Sequence, residues 1–418
     1  MKLIIKKYAI YHYLMIYLLL LFQGGVIFKP FLDYFVVGTI ILSGWFIFKK
    51  ILYNKVIDKT ILFIFILSSI LLLTSIISAG SLSLSTVLNI ISRFMLVYFV
   101  YQYDKENFCF RMVKIVVFLS VLSLIGFFIS LINMNIFGNI FIRLIYDTSM
   151  YYWSPFFCIL QSDASRNIGI YGEPGLHQIA INVVLFLLLF YDESELKIKA
   201  NTRIKYITIM IITILTIQST TGFISTIVLF IGYIFQKKDL QKKRLNKVLI
   251  GAIILLTLLV SFQGTESFIY KNFINKIANS EGAIDLNVST GRSRTVSMIA
   301  DIQVALKHPL GAGFEIYEDE WRNYLVEYIP DLSSPVGLTK SLATIGIPST
   351  LIIMWFYIRF AWKNRKSFIS FTVYLFMLIN TSLAQPVFWF PVLLVIPLVL
   401  GNKIVKSSNI NVKRNDEG

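Results

Sequence analysis

Polar interruptions in this chain's hydrophobic sequence fall into two classes, and the classes alternate. Those near 1–7, 49–60, 102–114, 192–205, 237–247, 359–366 and 401–418 are rich in Lys and Arg; those near 24–30, 79–84, 135–173, 219–222, 261–335 and 382–387 are not. Basic residues collect on the cytoplasmic flanks of membrane spans. The pattern therefore predicts a chain that crosses a bilayer about twelve times, with both termini cytoplasmic. Chemistry is then expected in the two long outer segments, 135–173 and 261–335.

Composition agrees. The 418 residues are 56% hydrophobic, with a mean hydropathy of +0.72, too apolar for a soluble domain of this size. Long uncharged runs read as helical spans, because a helix closes its own backbone hydrogen bonds within hydrocarbon. A formal charge of +16 would suit nucleic acid, but its distribution argues against such a partner. The inner segments hold 28 Lys and Arg against 9 Asp and Glu, and the outer ones 10 against 14. The excess is topological. The densest basic loop, Lys237 to Lys247, reads as an anchor touching anionic membrane lipids. Cys109 falls on the inner side and Cys158 on the outer, so neither a disulfide framework nor a cysteine metal site follows. No metal or cofactor is expected. Tyr8–Phe22, behind a basic start, reads as a retained signal-anchor helix.

The fold class expected is an all-α integral membrane protein. Spans are placed at 8–23, 31–48, 61–78, 85–101, 115–134, 175–191, 206–219, 222–236, 248–261, 336–358, 367–382 and 388–401. This divides the chain into a five-span region (1–134), a first outer loop (135–173), spans six to nine (174–260), a large helical outer loop (261–335), spans ten to twelve (336–401) and a cytoplasmic tail (402–418). In the first loop, Phe141–Asp147 and Tyr151–Leu160 suit the membrane interface, where Tyr and Trp are favoured. In the second, Phe268–Ala278 reads as a short amphipathic helix. Ser293–Lys307 reads as another, with Val296, Ile299, Ile302 and Leu306 as its buried face. His308, Pro309, Gly311 and Gly313 end it. Glu315–Asp331 mixes six acids with Trp321, Tyr324 and Tyr328, which suits either a solvated helix or a lid whose aromatics meet sugar rings.

Several residues stand out chemically. Arg93 is the one basic residue well inside a span, so it should face a polar cavity, a carboxylate or a lipid phosphate. Arg166 and Glu173 flank the turn Arg-Asn-Ile-Gly-Ile-Tyr-Gly-Glu-Pro-Gly before a span. Glu173 can orient or deprotonate a sugar hydroxyl, or simply cap the helix that Pro174 opens. His177, in the first turn of that helix, is an alternative base or a packing residue. Arg292 and Arg294 open the outer helix. With Arg166 they can clamp a diphosphate if the loops fold together, and fixed guanidinium groups stabilise a departing diphosphate without metal. Asp301 lies on roughly the face of Arg294 and can pair with it.

The layout resembles the bacterial O-antigen polymerase and O-antigen ligase superfamily, which also contains capsule repeat-unit polymerases. The resemblance rests on the twelve-span plan and the long loop between the ninth and tenth spans. It rests also on Ser289-Thr-Gly-Arg-Ser-Arg-Thr, then Ala305-Leu-Lys-His-Pro-Leu-Gly-Ala-Gly313, similar to the family's arginine-led helix ending in His-Pro-x-Gly-x-Gly. Arg166 to Pro174 resembles its other outer pattern, an arginine, a Gly-containing turn and Glu-Pro. The resemblance implies an undecaprenyl-diphosphate-linked glycan as substrate, polymerised into O-antigen or capsular polysaccharide outside the cytoplasmic membrane. A chain-length regulator and a repeat-unit flippase are the implied partners. By the same carry-over Arg166 and Arg292 hold diphosphate, Arg93 and Arg294 support them, and Glu173 sits near the acceptor.

Ligases of this family resemble one another in a histidine before the tenth span, with Leu four and Gly eleven positions later. Anchored on Gly346, that pattern finds Pro335 and Thr339; anchored on Leu338, it finds Ser334 and no glycine. The departure favours polymerase over ligase and leaves Glu173, His177 and His308 as candidate bases. A lipid-linked glycan transporter is the nonenzyme alternative; it needs ionisable groups along several spans, and the sequence offers mainly Arg93.

Overall fold

The structure, a computed structural model, describes residues 7–54, 58–77, 83–146, 149–236, 250–251, 289–325 and 336–400. Five helices come first: α1 (Lys7–Phe22), α2 (Leu32–Asn54), α3 (Lys59–Ile77), α4 (Leu84–Tyr103) and α5 (Phe108–Ile132). A short α6 (Asn135–Ile140) leads into three strands, β1 (Ile142–Tyr146), β2 (Ser149–Trp153) and β3 (Cys158–Leu160). Then follow α7 (Pro174–Phe190), the single turn α8 (Glu193–Leu196), α9 (Ala200–Ile217) and α10 (Thr220–Gln236). By length and composition, five described helices can cross a membrane, within Leu32–Tyr53, Lys59–Ile76, Leu84–Tyr103, Phe108–Ile132 and Ala200–Ile217. Shorter apolar helices, among them Pro174–Phe190 and Phe368–Ala384, accompany them. This is the architecture of a helical membrane protein. The expected span 248–261 lies outside the described residues except for 250–251, and so does the expected helix Phe268–Ala278.

α7 is the axis of the bundle. From Leu176 to Phe190 every side chain is buried, which a helix apolar on all sides requires. It packs against α5, α9 and α10. Asn182 is paired on every side: it donates to Gln178 (2.9 Å) and to the Gly222 carbonyl (3.3 Å), and accepts from Thr226 (2.8 Å). A satisfied polar seam costs little in an apolar interior.

The two classes of interruption meet at two separate ends of the bundle. At the basic end, Lys50 donates to Asp58 (3.0 Å) and Tyr98 (2.6 Å), Lys197 donates to Asn107 (2.6 Å), and Lys366 pairs with Glu195. At the other end, the Gly172 amide donates to the Gly24 carbonyl (3.0 Å), and Asn380 donates to the Thr221 carbonyl (2.8 Å). Gln385 there donates to Glu173 (2.9 Å).

The first loop adds a small sheet to the otherwise helical chain. It forms an antiparallel sheet of order β1-β2-β3, with Arg143 opposite Tyr152 and Trp153 opposite Cys158. Successive strand residues face opposite sides. Tyr151 thus joins Val26, Cys158 and Ile168, while Tyr152 joins Phe137 and Ile159. Tyr151 and Tyr152 are buried on opposite faces of the strand, while Ile142, Ile145 and Phe156 stay exposed.

The chain then resumes with α11 (Ser289–Lys307) and α12 (Gly313–Leu325). The buried face of α11 is not the expected one. Ile299, Ile302 and Leu306 are exposed, while Ala300, Asp301, Val304 and Ala305 are buried against α12 and the next helix. Small side chains allow that close approach, and the Asp301 carboxylate, hydrogen-bonded by Tyr317 (2.7 Å) and Thr339 (2.6 Å), fixes the face.

The expected tenth span is broken into α13 (Gly337–Thr344) and α14 (Ile347–Lys363). At the break Gly346 has a φ of 88°, a region costly for residues with a Cβ. The turn after α11 docks there through main chain: the Ala312 amide donates to the Ala343 carbonyl (2.8 Å), and the Ile347 amide to the Pro309 carbonyl (2.9 Å). α15 (Phe368–Ala384) starts with a Ser367–Ser370 capping box. In place of a continuous twelfth helix come 3₁₀ turns at Val387–Trp389 and Pro391–Leu394, then α16 (Val395–Leu400).

A Cβ on Gly346 would lie 2.4 Å from the Leu310 carbonyl carbon. Gly346→Ala is therefore expected to cost at least about 1–3 kcal/mol, read as a lower midpoint of thermal unfolding in detergent. Gly38→Ala, whose Cβ would meet nothing within 4 Å, should stay within about 1 kcal/mol of wild type.

Candidate functional site

A cavity of about 590 Å³ opens at the non-basic end of the bundle. Its walls come from the end of α1, the start of α4, the Gly172–Glu173 turn, α12, α13 and the Phe388–Trp389 turn. Four ionisable side chains line it: Arg93, Glu173, Glu318 and Lys340.

Arg93 is only 7% exposed. Its Nε donates to Asn89 (3.0 Å) one helical turn earlier, and one terminal nitrogen donates to the Phe22 carbonyl (3.2 Å) at the frayed end of α1. The Phe22 ring lies 5.3 Å from the guanidinium carbon. These contacts aim the planar fork while using only part of its five donors. Among the described residues Arg93 has no carboxylate within salt-bridge distance. The sequence expectation left three kinds of partner open; the structure supplies a polar cavity.

Glu173 is the residue before α7, but its carboxylate makes no capping hydrogen bond. It reaches across to Gln385, whose amide donates to it at 2.9 Å. The two chain segments are forced together there, because a Cβ on Gly337 would fall 1.9 Å from the Gln385 carbonyl carbon. Lys340 projects from the next turn of α13, with its ammonium 5.5 Å from the Tyr317 ring centroid. Glu318, Asp301 and Glu173 are its charged neighbours. Sequence reasoning gave neither Lys340 nor Glu318 a role. The signal was present: Lys340 is the one cation of 336–358.

Other expected residues lie elsewhere. Arg166 pairs with Asp163 (3.5 Å) and donates to the Gln218 carbonyl (3.2 Å), and it does not line the cavity. His177 is 4% exposed, with Nδ1 3.3 Å from the Asn167 carbonyl and its ring beside Tyr171. It packs under Gly169, where a Cβ would lie 2.7 Å from the imidazole. His177 thus holds the shape of the 166–175 turn and does not reach the cavity. Asn167 ties that turn to α5 and α9 through Ser123 (3.2 Å) and Thr216 (3.1 Å).

Arg292 and Arg294 lie on the first turns of α11, and their side chains fall outside the described residues. Trp321, expected as a sugar platform, is 3% exposed and packs with Tyr317, Ala300 and Val304. Burial there serves the core. Tyr324 is exposed, and Tyr328 lies outside the described residues.

His308 closes α11. Its Nε2 lies 2.9 Å from Glu320, and Lys307 reaches the same oxygen at 2.6 Å. Against the upward push of burial, these hydrogen bonds hold the Glu320 carboxyl below its ordinary value. His308 is a structural link between α11 and α12.

No family model, curated protein or solved structure matches this chain.

A depressed carboxyl value contributes stability that is present above the unfolded value and lost as pH falls through the folded one. Amides of Gly313–Leu325 should therefore exchange faster as pH drops below the ordinary 4.5 of Glu320. Glu320→Gln should loosen them at neutral pH and abolish that step, once intrinsic exchange rates are subtracted.

Proposed function

We propose that this chain is a membrane glycosyltransferase that polymerises undecaprenyl-diphosphate-linked repeat units into O-antigen or capsular polysaccharide. It crosses the bacterial cytoplasmic membrane about twelve times with both ends inside, and the cavity opens on the extracytoplasmic face. The observation that carries this reading is Arg93, a buried guanidinium without a carboxylate partner among the described residues that lines a cavity shared with Lys340 and Glu173. A diphosphate supplies the missing negative charge, and a volume of about 590 Å³ accommodates it with an attached sugar.

In the proposed reaction the growing glycan leaves one lipid carrier for another lipid-linked repeat unit. The anomeric carbon loses its bond to the diphosphate oxygen and gains one to a hydroxyl at the acceptor's nonreducing end. The electron pair of the broken bond stays with the lipid diphosphate, where Arg93 and Lys340 neutralise it. The hydroxyl proton passes to Glu173, which Gln385 orients, and then to water. Arg292 and Arg294 retain the diphosphate role that the family resemblance implies. Arg166 does not, since Asp163 and the Gln218 carbonyl already engage it.

Reconstitution with purified lipid-linked repeat units and no nucleotide sugar tests the reaction. A ladder of products with released lipid diphosphate is expected, and Arg93→Gln should lower turnover about 10²–10³-fold with unchanged insertion. Transfer of one glycan to a different acceptor would make the protein a ligase. Movement of intact substrate without bond formation would make it a transporter. Sidedness is tested separately: in a background with Cys109→Ser and Cys158→Ser, a membrane-impermeant maleimide applied from outside should label Glu318→Cys and spare Lys197→Cys.

A further inference from the structure

A second cavity, of about 620 Å³, lies at the opposite, basic end of the bundle. It opens between α3 and α14. Its floor is the stacked pair Phe63–Phe356, whose ring centroids are 3.6 Å apart at an interplanar angle of 14°. Leu62, Ile66 and Trp355 form its sides and are themselves exposed. Its mouth carries Lys59, Arg359 and Lys363.

These cations differ from others at the same end. Lys50 is neutralised by Asp58 (3.0 Å), Arg111 by Asp104 (2.5 Å) and Lys366 by Glu195. Lys59 follows Asp58 in sequence, but that carboxylate is committed to Lys50, to Tyr98 and to the amides of Thr60 and Ile61. Lys59 instead shares the mouth of the cleft with Lys363 and Arg359. Among the described residues, none of the three has a carboxylate within salt-bridge distance. Like charges gathered without an anion repel. A pure topology signal needs only that basic residues stand on this side; it does not need them to converge over one apolar cleft.

We propose that this cleft is a binding site for an anionic diacyl phospholipid, with its phosphate held by Lys59, Lys363 and Arg359 and an acyl chain laid over the Phe63–Phe356 floor. The headgroup charge relieves the repulsion among the three cations, and the chain covers Leu62, Ile66 and Trp355, which are otherwise exposed. The site is remote from the residues assigned to catalysis and stands independently of the proposed reaction.

The test uses the full-length protein, delipidated in detergent and returned to nanodiscs or micelles with dioleoylphosphatidylglycerol or dioleoylphosphatidylcholine. Native mass spectrometry should find the anionic lipid retained in preference, and its addition should raise the unfolding midpoint more than the zwitterionic lipid does. The double variant Lys59→Gln, Lys363→Gln should weaken retention about tenfold. Ile66→Trp, which fills the cleft and leaves every charge in place, should weaken it too. Lys237→Gln with Lys238→Gln, on the separate basic loop, should not. Equal retention of both lipids, or unaltered retention in the Lys59/Lys363 and Ile66 variants, would overturn the proposal. So would a matching loss in the Lys237/Lys238 control, which would reduce the effect to bulk charge. Undecaprenyl phosphate displacing the phospholipid at equal concentration would assign the cleft to the carrier lipid instead. Should the double variant fail to fold, the Ile66 variant alone decides.

Discussion

Placing a guanidinium inside an apolar bundle is costly unless polar groups surround it, and that requirement organises one end of this molecule. Arg93 is accommodated because α1 ends at Phe22 and offers a free carbonyl, because Asn89 stands one turn earlier on the same face, and because a cavity separates α4 from α12 and α13. A continuous α1 would leave that carbonyl inside its own helix. The broken ends of helices at this level are thus part of how the charge is held.

The same logic extends to the chain segments that close the cavity. Glu173, Gln385 and Gly337 come from three distant parts of the sequence and meet because backbone passes against backbone at Gly337. The 166–175 turn is held from beneath by His177 and from the side by Asn167. Its residues thereby divide into a supporting set and a pair, Gly172 and Glu173, that lines the cavity. Two cations and two carboxylates line the opening, a set suited to holding a charged leaving group beside a hydroxyl nucleophile.

Much of the fold was legible because period and charge report it directly. Lys7–Phe22, Lys59–Ile77, Leu84–Tyr103 and Pro174–Phe190 match their expected spans to within a few residues, since a run of apolar side chains between polar breaks has few alternatives in a membrane. Features set by long-range contact were not legible. The strand pair at Arg143 and Tyr152 has aromatic faces that read equally as interface. The α11 helix hides its small residues rather than its large ones, because the buried carboxylate of Asp301 determines which face turns inward. The break at Gly346 depends on Leu310 and Gly311 arriving from another segment. Of the candidate site, Arg93 and Glu173 were visible as anomalies in their surroundings, while Lys340 and Glu318 become meaningful only when α12 and α13 face one cavity.

The docking of the 308–313 turn has a further consequence. Because main-chain hydrogen bonds pin it to the helix break, the azimuth of α12 is set by how many residues separate His308 from Glu318. One residue more or fewer would rotate that helix by about 100° and carry the Glu318 carboxylate around to a different side. Chain length across this short stretch is therefore a coordinate of the cavity, alongside the glycines at 311 and 313 whose positive φ values the turn requires.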